Sequence, residues 1–267
     1  MADETKHGIV LDPRVLAAGG AVALIGVAVL GAFVWMVPHA AEREVKAACA
    51  GLHPATPEEL RKEHPMLCAD KSCAYPMPAP DFSAVDNNGK PVTLSSFHGK
   101  VVLLNFWASW CGVCKHEKPQ LQVMADDMTS GDFATIALAS DRNWRDVLVA
   151  IVDALAPRIL IPGLDGKEAP AAYVFEDYKE HHKEVPMQLA LEAYKRGLPD
   201  GVPFQVLLDP PSGDDNIGQI AAAWGIHAVP ESALIDRDGN IRAYFINKRD
   251  WKSPVAETCL RSVIDGD

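Results

Sequence analysis

Two cysteines separated by two residues, Cys111 and Cys114, are the residues whose types and spacing best fit covalent chemistry in this chain. At the start of a helix, unpaired backbone N–H groups and the helix dipole favour negative charge. The first thiol of such a pair is therefore stabilised as the thiolate, which is the nucleophilic form. We predict that Cys111 attacks a substrate disulfide and that Cys114, one turn further and more buried, resolves the mixed disulfide.

The same spacing occurs in zinc ribbons, where two cysteines supply half of a metal site. Such a site needs a second pair of ligands at matching spacing. Cys68 and Cys73 have four residues between them, which does not match. His116 lies too close to Cys114 to complete a site alone. We therefore predict no metal ion, and no cofactor other than the redox-active disulfide itself.

The elements that must position the pair are a strand and a helix. An apolar run, Val101–Trp107, precedes the cysteines, and only Asn105 within it is polar. Such a run is typical of a central strand that is buried on both faces. A helical pattern then continues to about Met128, so the strand would deliver Cys111 to the start of a helix.

Further strands and helices alternate along the chain and predict an α/β fold, a mixed central sheet flanked by helices. Turn sequences at 87–89 and 237–240 predict two β-hairpins, the first of them near the start of the domain. A last helix is predicted to begin at Ser253-Pro254. Residues 157–203 do not fit the alternation, and we predict that they form a largely helical insertion.

The N-terminal region predicts a membrane anchor. Residues 15–37 contain no charged side chain, and about 20 apolar residues suffice for a helix to cross the hydrocarbon core. The run is longer than the apolar part of a cleaved signal peptide. We therefore predict a cytoplasmic tail at 1–14, an uncleaved transmembrane helix at 15–37, a cysteine-containing linker at 38–76, and the α/β domain at 77–267.

Net charge and cysteine content limit the cellular compartment and the classes of partner that are expected. The net charge of −11 argues against a nucleic-acid partner, which would require a basic face. Basic residues flank the anchor equally on both sides, so they do not orient it. The four cysteines outside the pair fit two structural disulfides, which persist in oxidising compartments. We therefore expect a single-pass protein of the inner (cytoplasmic) membrane whose domain faces the periplasm or the cell exterior.

The sequence around the cysteine pair resembles the active-site segment of the thioredoxin superfamily. Residues 105–115 read NFWASWCGVCK, and Pro119 matches the proline that kinks the active-site helix of that family. The stretches 80–83 and 89–111 resemble the membrane-anchored TlpA/ResA group. The stretch 230–239, PESALIDRDG, is similar to the CcmG (DsbE) branch, which reduces disulfides of apocytochrome c. The resemblance covers about residues 78–156 and 204–265.

This resemblance implies a thioredoxin-like fold and a thiol–disulfide oxidoreductase. The expected partners are protein disulfides such as those of apocytochrome c, and a membrane thiol reductant of the DsbD/CcdA kind. Val229-Pro230 corresponds to the family's cis-proline, which packs against the cysteine pair and offers backbone to an extended substrate. An ordinary trans proline at a strand entry is the alternative.

One departure from thioredoxin concerns proton transfer. Asn105 stands where thioredoxin has a buried aspartate, and an amide cannot take the proton of the resolving cysteine. Glu117, on the active-site helix, and Glu231, beside the proline, are the candidates for that role. The alternatives are a solvated helix carboxylate for Glu117 and a surface residue at a strand end for Glu231. Trp107 and Trp110 are predicted to be packing residues, and Trp110 also to shield the nucleophile.

The remaining cysteines are Cys49, Cys68, Cys73 and Cys259. Four cysteines allow three pairings. In the TlpA-like group a cysteine of the last helix can bond to the N-terminal region of the domain, and Cys259 lies in that helix. The resemblance therefore implies Cys73–Cys259 together with Cys49–Cys68.

Three other functions compete with this interpretation. A thioredoxin-fold peroxidase needs Thr or Ser three residues before its nucleophile, where this chain has Ala108. A copper-binding metallochaperone of the Sco kind uses CxxxC and a distant histidine, whereas position 115 here is Lys. A scaffold that retains an inactive CxxC is the third, and an assay of mixed-disulfide formation distinguishes it.

Overall fold

In this computed structural model of the protein, the described residues are 13–68, 72–128 and 131–266, without the side chains of 13–20 and 33–41. The chain divides into two compact units, Met1–Glu44 and Val45–Asp267. The helices are α1 (Pro13–Cys49), α2 (Pro57–Glu63), α3 (Gly112–Met128), α4 (Trp144–Leu155), α5 (Ala171–Glu180), α6 (Met187–Gly197), α7 (Gln219–Ala223) and α8 (Pro254–Ile264). The strands are β1 (Met77–Pro78), β2 (Ser83–Val85), β3 (Pro91–Thr93), β4 (Val101–Trp107), β5 (Phe133–Ala139), β6 (Leu160–Pro162), β7 (Glu168–Pro170), β8 (Gln205–Leu208), β9 (Glu231–Ile235) and β10 (Asn240–Ile246).

The second unit is built on a mixed eight-stranded sheet in the order β1-β10-β9-β4-β5-β8-β2-β3. Strand β4 pairs in parallel with β5 on one side and antiparallel with β9 on the other. Every side chain of β4 is buried. This arrangement confirms the predicted α/β fold and the central strand before the cysteine pair.

Alternate residues of β4 enter two different parts of the core. Leu104 and Phe106 pack in the cluster that contains Trp224, whereas Val101 and Leu103 pack with side chains of α3 and α8. Because successive side chains of a strand point to opposite faces, an unbroken apolar strand needs a cover on both sides. That double burial holds the carboxyl end of β4, and therefore the start of α3, in a rigid position.

Both predicted hairpins are present, and each turn is closed by an aspartate. Asp86 Oδ1 accepts hydrogen bonds from the backbone N–H groups of Asn88 and Lys90 between β2 and β3. Asp236 Oδ1 does the same for Asp238 and Asn240 between β9 and β10. Short polar side chains stabilise turns in this way by bonding to the backbone two residues onward.

The prediction of a linker at 38–76 is wrong for residues 45–76, which belong to the second compact unit. Leu60 and Leu67 are buried in the same cluster as β4. The Ala55 N–H donates to the Tyr244 carbonyl oxygen at 2.7 Å, so the segment is also tied to strand β10. The segment is rich in charges and prolines, yet Val45, Leu52, Leu60 and Leu67 within it are buried.

The implied disulfide pairing is also wrong. The bonds are Cys49–Cys259 and Cys68–Cys73. The end of α1 packs beside α8, in a cluster that holds both Cys49 and Cys259, and their Cα atoms are 4.4 Å apart. Cys68 and Cys73 close a short loop within the segment itself. Proximity in the fold, which spacing along the chain does not reveal, decides the pairing.

The insertion at 157–203 is only partly helical. It contains α5 and α6, but also the antiparallel pair β6–β7, which forms a separate small sheet. Apolar side chains of the insertion, among them Val174 and Ala190, pack with Leu148 and Val152 of α4. The insertion therefore covers the outer side of α4 and does not enter the central sheet.

Within the described residues, no helix combines the length and the apolar character that a membrane crossing requires. The predicted tail at 1–14 lies almost entirely outside the described residues, and so do the side chains at both ends of the predicted anchor at 15–37. The anchor therefore stays a prediction.

Candidate active site

The cysteine pair lies where β4 ends and α3 begins. Cys111 immediately precedes α3, and Cys114 occupies its first turn. The two are joined in a disulfide, with the Cys114 N–H donating to Cys111 Sγ at 3.1 Å. Cys111 retains 7% of its surface exposed, whereas Cys114 is completely buried. In the reduced protein, the same N–H and the start of the helix would stabilise a thiolate at Cys111, the accessible member.

The backbone opposite Cys111 is provided by the Val229–Pro230 bond, which is cis as predicted. Cys111 Sγ lies 3.5 Å from the Val229 carbonyl oxygen. The register explains this approach, because Glu231, the first residue of β9, pairs with Phe106 near the end of β4. The residues before β9 are thereby held next to the residues after β4.

Two exposed apolar side chains, here called the rim, flank the nucleophile in the sequence. Trp110 is 54% exposed and Val113 is 48% exposed, one on each side of Cys111 in the sequence. The prediction that Trp110 is a packing residue is therefore wrong, whereas Trp107 is fully buried as predicted. Apolar side chains that remain exposed beside a reactive group offer a contact surface for a partner chain.

Asp141, a residue that the sequence did not single out, holds the loop before Cys111. Its carboxylate accepts from the Ser109 N–H at 2.9 Å and from the Ser109 hydroxyl. Burial raises the pKa of Asp141, and the bonds from Ser109 oppose that shift. The available signal was its place just after β5, since the carboxyl ends of parallel neighbours such as β4 and β5 meet at one edge of the sheet.

Glu117 lies on the buried face of the active-site helix α3, so the alternative of a solvated carboxylate is wrong. Its Oε1 accepts from the Arg249 N–H at 2.8 Å and from Trp251 Nε1 at 2.9 Å. Its Oε2 accepts from Asn105 Nδ2 at 3.3 Å. Burial raises the pKa of Glu117, and these bonds partly offset the shift.

Lys118 is the second buried charged residue of α3, and the sequence did not identify it. Its Nζ donates to Asn105 Oδ1 at 2.7 Å and lies 4.2 Å from the centre of the Trp107 ring. Burial lowers the pKa of Lys118 to about 7, with Glu117 acting in the opposite direction. The only sequence signal was the spacing of four residues from Cys114, which places both on one face of a helix.

Glu231 lies behind the cis-proline and is buried, so the surface alternative is wrong for it as well. Tyr244 donates its hydroxyl to Glu231 Oε2 at 2.6 Å, and His64 Nε2 lies 3.1 Å from the same oxygen. Burial, followed by the nearby Glu231 carboxylate, raises the pKa of Tyr244. His64 comes from the N-terminal segment that sequence patterns had suggested was a linker.

The two predicted proton acceptors therefore occupy separate places. Glu117 belongs to a buried network with Asn105 and Lys118 under α3, and Glu231 belongs to a second network with Tyr244 and His64. Among the described residues, no group of three or more His, Cys, Asp or Glu side chains is arranged to hold a metal ion.

The chain is similar to several known proteins over part of its length. Residues 76–160 match the Redoxin family model. The chain is 38% identical over 65 residues to the thiol-disulfide oxidoreductase ResA of Bacillus thuringiensis subsp. konkukian. The aligned residues make up 24% of this chain and 38% of that relative. It is 51% identical over 43 residues to ResA of Bacillus subtilis, and those residues make up 16% of this chain and 24% of that relative. The matched part thus spans well under half of each relative.

A solved structure from Chlorobium tepidum, assigned as the thiol:disulfide interchange protein DsbE, is similar over 70% of this chain and 96% of its own. The two share 24% sequence identity, and the TM-score is 0.45.

Proposed function

We propose that this chain is a thioredoxin-like protein of the TlpA/ResA/CcmG family and that it exchanges thiols and disulfides with protein substrates through Cys111 and Cys114. One observation carries the proposal. Cys111 is the more exposed cysteine of the pair and immediately precedes α3. Its Sγ atom lies 3.5 Å from the Val229 carbonyl oxygen and is bonded to the fully buried Cys114. That arrangement suits an attack by one sulfur and resolution by the other.

The proposed reaction has two steps. The Cys111 thiolate attacks one sulfur of a substrate disulfide, which forms a mixed disulfide and releases the other substrate sulfur as a thiolate. The Cys114 thiolate then attacks Cys111 Sγ, which forms the active-site disulfide and releases the reduced substrate. Two electrons pass from the enzyme to the substrate, and a second thiol reductant must restore the dithiol.

The rim supports a substrate that is an extended, partly apolar segment of protein. Trp110 and Val113 offer apolar contact beside the sulfur, and the backbone at Val229 offers a hydrogen-bonding edge. A preference for contact with backbone and apolar surface favours unfolded chains over folded ones, because folded chains bury both. Disulfides of exported proteins, such as those of apocytochrome c, meet this description, with a membrane thiol reductant of the DsbD/CcdA kind as the electron donor.

The proposed location is the inner membrane, with the domain facing the periplasm or the cell exterior. The uncharged run at 15–37 supports an anchor. The Cys49–Cys259 and Cys68–Cys73 disulfides support an oxidising compartment, because cytoplasmic reductants keep most thiols reduced.

A trapping experiment tests the proposal. In the Cys114→Ser protein the mixed disulfide cannot be resolved, so covalent adducts through Cys111 should accumulate in cells and separate on non-reducing gels. Mass spectrometry then names the substrates, and apocytochrome c should be among them. The adducts should remain with membranes after an alkaline wash if the anchor exists.

The matched control is the Cys111→Ser, Cys114→Ser double variant, which should form no adduct. If the single variant also forms none while Cys111 is present and reduced, the protein is not a thiol–disulfide oxidoreductase. Adducts that lack any cytochrome would reject that substrate and leave the chemistry intact.

A further inference from the structure

We propose that Lys118 is the buried proton acceptor for Cys114, so that a lysine of the active-site helix does the work for which thioredoxin uses an aspartate. This inference rests on the proposed function and assigns the group that activates its resolving step. It differs from the expectation from the sequence, which placed that role on Glu117 or Glu231.

The first support is the position of Lys118. Cys114 and Lys118 are four residues apart in α3, and both are buried, so they occupy the same inward face one turn apart. Trp107 lies in the same buried cluster as Cys114, and Lys118 Nζ lies over the ring of that tryptophan. Nζ also lies 5.8 Å from the centre of the Phe204 ring, and Phe204 belongs to the same cluster. The amine thus lies against two rings of the apolar cluster that contains the resolving cysteine.

The second support is the hydrogen-bonding capacity of Lys118. A lysine ammonium has three protons to donate. Nζ donates one to Asn105 Oδ1 and directs its charge at the Trp107 ring. Water is largely excluded here, so the loss of hydration raises the free energy of the charged ammonium. The neutral amine is thereby favoured. A neutral amine has a lone pair and can take a proton from a nearby thiol.

The alternative acceptors are already occupied. Glu117 Oε1 accepts from both Arg249 and Trp251, and its Oε2 accepts from Asn105. Glu231 is engaged by Tyr244 and His64 behind the cis-proline. The hydrogen bonds and ion pair of each carboxylate are therefore made with groups other than Cys114.

The charged groups that face this region come from every element packed around it. Glu117 acts on Lys118 from the same helix. The others are paired within their own contacts: Asp153 of α4 with Lys115, Glu231 of β9 with Tyr244 and His64, and Arg249 with the carbonyl oxygens of Leu52 and His53. The nearest polar group from β4 is Asn105, which does not titrate.

The step balances in atoms and charge. The Cys114 thiol gives its proton to the neutral Lys118 amine, which produces a thiolate and an ammonium ion in the same pocket. The thiolate attacks Cys111 Sγ, the Cys111–Cys114 bond forms, and the bond from Cys111 to the substrate sulfur breaks. The substrate leaves as a thiolate and takes a proton from water. The ammonium ion returns its proton to solvent when the pocket no longer holds a negative sulfur.

The experiment follows the resolving step across pH. Reduced protein is mixed with oxidised glutathione, quenched with acid at short times, and analysed by mass spectrometry for the glutathione adduct and the intramolecular disulfide. Lys118→Met keeps length and removes the amine, and Lys115→Met is the matched control three residues earlier in α3. Lys118→Gln provides a second variant if the methionine protein does not fold by circular dichroism.

We expect the adduct to accumulate in Lys118→Met at pH 7, with resolution slowed about tenfold or more. At about pH 9.5 the deficit should shrink, because Cys114 then ionises without assistance. Lys115→Met should follow the original protein at every pH.

Two outcomes overturn the inference. One is a pH profile of Lys118→Met that superimposes on that of the original protein. The other is a rate lowered by the same factor at every pH, which indicates packing alone. If the original protein itself forms neither the adduct nor the intramolecular disulfide, the proposed function fails instead.

Discussion

At the scale of single residues, Asn105 explains how a buried carboxyl group and a buried amine coexist on the inner face of α3. Its amide oxygen accepts from Lys118, and its amide nitrogen donates to Glu117 and to Ser232 Oγ. An aspartate here would have no proton to donate to Glu117, and two carboxylates would then face each other. The amide therefore separates the two ionisable groups and provides each with a hydrogen-bond partner, which an aspartate at this position could not do.

Glu117→Gln tests the electrostatic consequence at the same scale. Burial raises the pKa of Glu117 above its ordinary value of 4.5, so the unfolded chain releases this proton at lower pH than the folded one. The contribution of Glu117 to folding stability therefore falls as pH rises from about 4.5 through its raised value. The free energy of unfolding of the original protein minus that of Glu117→Gln should therefore be smaller at pH 8 than at pH 4.

Urea unfolding of both proteins from pH 4 to pH 8 measures this difference in unfolding free energy. The other buried carboxylates are present in both proteins, so their contributions cancel. A constant difference in unfolding free energy from pH 4 to pH 8 would contradict the shifted pKa.

At the scale of elements, the two structural disulfides do different things. Cys49–Cys259 joins the end of α1 to α8 across 210 residues, whereas Cys68–Cys73 spans 5. A cross-link restricts the unfolded chain more when it closes a longer loop. The first bond therefore fastens the N-terminal segment to the last helix, and the second only shapes the turn before β1.

Removing each bond separately tests this difference. Cys49→Ala with Cys259→Ala should lower the free energy of unfolding by about 5 kcal/mol on the loop-closure estimate, and Cys68→Ala with Cys73→Ala by about 2 kcal/mol. Urea unfolding under oxidising conditions measures both, and each double variant is the control for the other. A larger loss from the short-loop pair would show that local strain or packing outweighs chain entropy.

At the scale of the whole molecule, the compact unit that contains the active site begins at Val45 and not at the sheet. The N-terminal segment supplies Leu60 and Leu67 to the core behind the central sheet. It also supplies His64, which reaches Glu231 next to the cis-proline. The segment thereby stabilises the fold and completes one wall of the site.

Two fragments test this boundary, 45–267 and 77–267. Both carry Cys259→Ala, and the longer one also carries Cys49→Ala, so that the disulfide does not contribute. The shorter fragment loses several buried leucines and should be less stable by at least about 4 kcal/mol in urea unfolding. Equal stability of the two fragments would mean that 45–76 is a linker after all.

Much of the fold and of the reactive pair could be predicted from the sequence, because the signals are local. Cys111 and Cys114, the apolar run of β4, the turns of both hairpins and the proline before β9 are each visible within about ten residues. Period-2 burial, turn chemistry and helix starts depend on neighbours in the chain, so these features are determined there.

Only the tertiary structure decided what surrounds the pair. Glu117 meets Arg249 across 132 residues, Asn105 meets Ser232 across 127, and Cys49 bonds to Cys259 across 210. Whether Lys118 faces solvent or the resolving cysteine depends on which strands and side chains cover α3. The sequence alone determined which residue attacks. The packing of distant segments decided which groups are buried beside it, because burial and partners, more than residue type, set the charge that a side chain can carry.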